Sequence, residues 1–152
     1  MIARSIFQDM PPHRIGIAQS RAARNVAEFR EAVLRDHGLT SPEWFVLGYV
    51  ADTTAKGGIK VGDIATVLDV QSTYVTGILR KLEAKELIRW QADTGDRRVR
   101  IITVTKKGAA VTTAAEKELI KQSDPWLGRA SDAAIRSYLS VLELLAQGPD
   151  KI

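Results

Sequence analysis

Apolar positions recur with a helical period along most of the chain and turn strand-like only near its middle. From Ile15 they run Ile15, Ala18, Ala22, Val26, Phe29 and Val33, which predicts one helix ending near His37 with Gly38 just past it. Pro11 and Pro12 are expected to block that helix before His13, leaving residues 1–12 as an arm. Thr40 and Glu43 have capping-box spacing, with Pro42 tolerated in the first turn of a second helix. That helix carries Trp44, Leu47 and Ala51 on one side and Phe45 and Tyr49 on another.

After the loop around 53–58, a short strand is expected near Ile59–Val61 and a short helix over Asp63–Leu68. Asp69 and Val70 make a turn. The next helix, from Gln71 or Ser72 to about Lys85, has Val75, Ile78, Leu79 and Leu82 on one stripe. Its other side is hydroxyl-rich and basic. Leu87–Ala92 and Val99–Val104 read as strands joined by the turn Asp93-Thr94-Gly95-Asp96. Thr105 to Gly108 opens a helix expected to break at Ser123-Asp124-Pro125. A last helix, roughly Asp132–Gln147, has the stripe Ile135, Leu139, Leu142 and Ala146.

This order, helix, turn, helix and then a basic hairpin, suits duplex DNA: one helix can enter the major groove while the hairpin reaches the backbone or minor groove. Charge sharpens the picture. The chain has 152 residues and a formal net charge of only +4. Between Gln71 and Lys107, however, nine cations (Arg80, Lys81, Lys85, Arg89, Arg97, Arg98, Arg100, Lys106, Lys107) face four anions (Glu83, Glu86, Asp93, Asp96). A basic patch on a near-neutral body fits a polyanion-binding face.

Other chemistries are excluded or unsupported. The chain has no cysteine, which rules out disulfides, thiolate zinc and thiol redox sensing through it. Its two histidines, His13 and His37, are too far apart to suggest a metal site, and no metal or cofactor is expected. The 53–58 loop lacks the phosphate-loop order, and no catalytic constellation appears, so no enzyme is expected. No apolar run or signal pattern suggests a membrane or export, and a cytoplasmic location is expected.

From Leu39 to Gly108 the chain resembles the MarR-type winged helix-turn-helix regulators. Leu39-Thr40 with Val46-Leu47, Asp63-Ile64-Ala65, Ser72 to Leu82, Leu87-Ile88-Arg89, Asp96-Arg97-Arg98, Val104-Thr105 and Gly108 carry the likeness. There are departures. Glu86 stands where the family usually has glycine; a left-handed cap there costs about 1 kcal/mol, so a different exit from the recognition helix is expected. Gly77 replaces a residue that is often basic, and the loop Asp52–Lys60 is longer than usual.

The resemblance implies an α+β, mainly α fold: a winged helix over 39–108, with dimerisation helices in 1–38 and 109–152, forming one compact body. Ser72, Thr73, Tyr74 and Thr76 are expected to read bases, and Arg80 and Lys81 to reach guanine edges or phosphates. Arg97, Arg98 and Arg100 belong to the wing. By position Asp96 braces it, and Arg98 or Arg97 enters the minor groove. The implied function is regulation of transcription by a homodimer on a pseudo-palindromic duplex, as a repressor released by a small aromatic or lipophilic ligand. Arg21, Arg24, Trp44, Phe45 and Tyr49 are the candidate lining of that pocket. The competing reading is a winged helix that docks protein, or sequesters a ligand, without an operator.

Overall fold

The computed structural model describes residues 11–93, 95–96 and 99–148. The expected arm therefore lies almost wholly outside the described residues. Among the described residues six helices and one hairpin follow in order: α1 (Pro12–Asp36), α2 (Ser41–Thr54), α3 (Val61–Leu68), α4 (Ser72–Ala84), β1 (Ile88–Ala92), β2 (Arg100–Val104), α5 (Lys106–Leu127) and α6 (Asp132–Gln147). The chain groups into two units, Met1–Glu116 and Lys117–Ile152. The α+β, mainly helical fold is as expected from the residues, and it is that of the winged helix.

The first unit is built around Leu34, Val46, Leu47, Val50, Ile64, Val75, Leu79, Leu82 and Ile102, all fully buried. Four of the five helices that enter it, together with β2, contribute to this core. Every member of the expected α4 stripe is inside. In α2 the buried face is Val46, Leu47 and Val50 rather than the stripe through Trp44 and Ala51. Only Val33 and Leu34 of α1 are buried, so the Ala18, Ala22 and Val26 side of that helix is open.

Three helix ends share one device. Leu39 N–H donates to Leu34 C=O, Val70 to Ala65 and Leu87 to Leu82, each at 2.9–3.0 Å, closing the last turn backwards. That closure needs a left-handed residue, and here these are Gly38, Asp69 and Glu86. At the head of α2 the capping box is complete: Thr40 N–H donates to Glu43 Oε2 at 2.9 Å, and Glu43 N–H to Thr40 Oγ1 at 3.4 Å.

Four expectations need correction. Pro12 does not block α1 but is its first residue, where the missing N–H is unused anyway. Residues 59–61 form no strand of their own: Ile59 makes one antiparallel bridge to Ile102, and Val61 already starts α3. Pro125 does not end α5, which runs on to Leu127. The proline lacks the N–H that would reach the carbonyl four residues back, yet the helix continues past it, and Gly128 N–H donates to Asp124 C=O at 2.9 Å. Finally, the exit from α4 keeps the left-handed geometry despite Glu86, with φ 61°.

The second unit holds the end of α5 and all of α6. Ser131 caps α6 through its hydroxyl, and no residue of α6 is buried. Tyr138, Leu139, Val141, Leu142, Leu144 and Leu145 are all exposed.

Candidate nucleic-acid interface

The α3–turn–α4 pair sets the outward face of α4. Asp69 turns the chain, Gln71 is extended, and α4 starts at Ser72. With Val75, Ile78, Leu79 and Leu82 inside, Ser72, Thr73, Tyr74, Arg80 and Lys81 must face out, and all five are exposed. Tyr74 keeps 51% of its surface. Thr76 is half-buried and donates its hydroxyl to Ser72 C=O at 2.9 Å. Its donor is thus engaged within the helix, leaving an acceptor and a methyl group for any base.

The end of α4 is held from two directions. Lys85 Nζ donates to both oxygens of Glu43 and to Gly38 C=O, each at 2.8 Å. Lys107 Nζ donates to Lys85 C=O at 2.8 Å and to Glu86 Oε2 at 3.1 Å, while Thr105 Oγ1 donates to Glu86 C=O at 2.7 Å. These contacts offset the backbone cost of a non-glycine at 86. Glu43 is 3% exposed. Burial pushes its carboxyl up, but the hydrogen bonds from Lys85 and Thr40 outweigh that and hold it below the usual range.

The hairpin pairs Ile88 with Val104, Trp90 with Ile102 and Ala92 with Arg100. Ile59 adds its bridge to the outer edge of β2. Gly57 and Gly58 carry the chain there at positive φ, and a Cβ on Gly58 would stand 2.6 Å from Ile102 C=O. At the tip, Val99 N–H donates to Asp96 C=O and Asp93 N–H to Val99 C=O, both at 2.9 Å. Arg100 is exposed at the tip end of β2, and Asp96 is exposed beside it. Arg97 and Arg98, the other wing candidates, lie outside the described residues. An exposed polar helix end therefore stands next to a basic hairpin, as groove and backbone contact require.

Residues 39–99 match the family model described as MarR family. That segment, residues 39–99, is a MarR-family winged helix. The chain is 38% identical over 74 residues to the transcriptional activatory protein BadR of Rhodopseudomonas palustris, which covers 49% of this chain and 42% of that one. It is 32% identical over 95 residues to the HTH-type transcriptional regulator MhqR of Bacillus subtilis, covering 62% and 63%. The chain thus spans less than two thirds of either relative. Among solved structures, CouR from Rhodococcus jostii RHA1 bound to p-coumaroyl-CoA superposes with a TM-score of 0.78 at 22% identity, covering 89% and 92%. The Staphylococcus aureus MepR–DNA complex gives 0.73 at 20% identity, covering 87% and 96%. These two share the fold of this chain.

A second cluster lies where α1 meets α2. Trp44 and Phe45 rings are 5.3 Å apart. The cation over Phe45 is Arg30, 4.9 Å from the ring centroid, and its Nε donates to Ser41 Oγ at 2.8 Å. Glu31 accepts from Ser41 N–H at 3.0 Å, and hydrogen bonds from Ser41 hold its carboxyl low. Trp44 Nε1 is buried with no partner among the described residues. Tyr49 is half-buried, whereas Arg21 and Arg24 are exposed on the open part of α1. Arg30, not foreseen as a site residue, is the arginine at this junction. Among the described residues no group of acidic or histidine side chains could hold a metal ion, and no helix is long and apolar enough to cross a membrane.

Proposed function

We propose that the chain is a sequence-specific, duplex DNA-binding regulator of transcription, acting as a homodimer on a pseudo-palindromic operator and without catalysis. The carrying observation is the exposed start of α4, Ser72, Thr73 and Tyr74, set beside Arg80, Lys81 and the basic hairpin. Hydroxyls and a phenol offer donors, acceptors and an apolar edge to bases, while the cations bind phosphates. The relatives named for transcription and the DNA complex of MepR support it. A docking surface for protein alone gains no such support.

Two exposed apolar faces support the dimer: Ala18, Ala22 and Val26 on α1, and Leu139, Leu142 and Leu145 on α6. A two-fold dimer reads two half-sites about 34–36 Å apart, one helical turn. Selection from a random duplex library tests this. An inverted repeat with that half-site spacing is the expected product; a library that stays random overturns the reading.

We further propose that a small aromatic acid, or a similar amphiphile, releases the DNA and so relieves repression. The unpartnered Trp44 N–H beside Phe45 supports a pocket with one polar anchor, and Arg30 is a better placed carboxylate partner than Arg21 or Arg24. CouR holding p-coumaroyl-CoA is in keeping with this.

A further inference from the structure

Between α4 and the hairpin lies a cleft of about 560 Å³, lined by Thr76, Arg80, Glu83, Arg89, Trp90 and Arg100. Three arginines share it with one glutamate, and none of the three pairs with a described acid. Helical and strand patterns single out Arg80 and Arg100; Arg89 and Trp90 join them only through the fold.

Arg89 is preset. The Gln91 amide oxygen, in the orientation that satisfies its neighbours, accepts from Arg89 Nε at 2.8 Å, from Nη2 at 3.1 Å and from Thr103 Oγ1 at 3.0 Å. Thr103 is 5% exposed, so this network is anchored in the core. The rest of the Arg89 fork stays available at an exposed site. Trp90 is half-buried and pairs across the hairpin with fully buried Ile102, so the indole is backed by the core.

If α4 enters a major groove and the hairpin reaches the adjacent minor groove, the strand separating the two grooves must cross the gap between these elements. That gap is this cleft. We propose that the cleft seats one backbone segment of the duplex, with Arg89 and Arg100 clamping a single phosphodiester and Trp90 packing against the adjoining deoxyribose. Guanidinium forks match phosphate oxygens, and an indole face suits the apolar side of a sugar. The proposal rests on the DNA-binding reading and adds Arg89 and Trp90 to the contact set.

The test uses the full chain and a duplex carrying one neutral methylphosphonate, moved along each strand in turn. Wild type should lose affinity about 5–10-fold at one linkage per half-site, and Arg89→Gln and Arg100→Gln should be insensitive at that linkage. Each variant should lower affinity equally on selected and random duplex and flatten the salt slope by about 0.9. Arg89→Lys should recover only part of the loss, because it keeps the charge without the fork. In a Trp44→Phe, Trp126→Phe variant, which leaves Trp90 as the one tryptophan, emission should change in step with duplex binding. Wild type that binds duplex while both glutamine variants match it overturns the proposal and leaves the DNA reading intact. Wild type that binds no duplex overturns both. Pyrophosphate shifting Trp90 emission as duplex does, with duplex affinity unchanged in the variants, would make the cleft a free-anion site and also overturn it.

Discussion

Lys85 Nζ lies 2.8 Å from both carboxylate oxygens of Glu43, joining the end of the recognition helix to the head of α2. The same ammonium reaches Gly38 C=O, so one side chain ties α4 to the α1–α2 corner. Glu43 also completes the capping box. The recognition helix is thereby set against the part of the unit that holds the aromatic junction.

Removing this tie should be measurable. Glu43→Gln or Lys85→Met should cost about 1.5–3 kcal/mol in urea unfolding at neutral pH, the range for hydrogen bonds to charged groups. The folded-state carboxyl of Glu43 lies below its usual value of 4.5. Its stabilisation is therefore complete above that value and is lost as pH falls through the lower, folded-state one. The stability gap between wild type and Glu43→Gln should stay constant above about pH 4.5 and close as pH falls below it toward the folded-state value. Parallel curves across that window would remove the role assigned to the pair.

Two glycines should respond oppositely to alanine. A Cβ on Gly108 would run into Leu87 C=O and stand 2.7 Å from Val104 Cγ2. Leu87 C=O is fixed by the bond from Thr105 N–H and Val104 lies in β2, so Gly108→Ala should cost at least the roughly 1–3 kcal/mol of an overpacked core. Gly77 has nothing within 4 Å of that position. Gly77→Ala should therefore raise stability by about 0.5–1 kcal/mol through helix propensity alone. Thermal unfolding of the two variants is the check.

The proposed dimer predicts that Leu139→Asp with Leu142→Asp yields monomers in sedimentation at micromolar protein. Both leucines are exposed in the second unit, so the helix itself should survive in circular dichroism. Operator affinity should fall, because the two half-sites would no longer be bound together.

The aromatic junction predicts coupled titrations. An aromatic acid that quenches tryptophan emission should release DNA over the same concentration range, since a ligand shifts the dimer only through differential affinity for its two states. Trp44→Phe, which removes the orphan N–H, should weaken both effects. Arg30→Gln should weaken them more than Arg24→Gln does. Quenching without release would make the junction a silent site.

Much of this was legible beforehand because it rests on local rules. The stripe of α4, the Thr40–Glu43 box and the two strands of the hairpin each depend on residues within a few positions of one another. What was missed depends on distance or on permissive backbone. Arg30 meets Phe45 only because α1 folds back on α2, which no spacing rule reports. Left-handed ends are signalled by glycine, so Gly38 is visible while Asp69 and Glu86 are not; their closure is stabilised by contacts such as Lys107 to Glu86. Strand alternation assigns Arg89 and Trp90 to opposite faces, yet both line one cleft. Pro125 reads as a breaker, but the helix carries it to Leu127 with one ladder bond forgone.

The most direct test of the account is duplex affinity against salt, for wild type and Tyr74→Ala, on a selected operator and on random DNA. A steep fall of log K with log salt, about 0.9 per phosphate engaged, is expected for both proteins on both duplexes. Wild type should prefer the operator by about 10³-fold or more, and Tyr74→Ala should lose about 1–3 kcal/mol of that preference while keeping its slope. A flat salt dependence with no operator preference would contradict the DNA-binding reading.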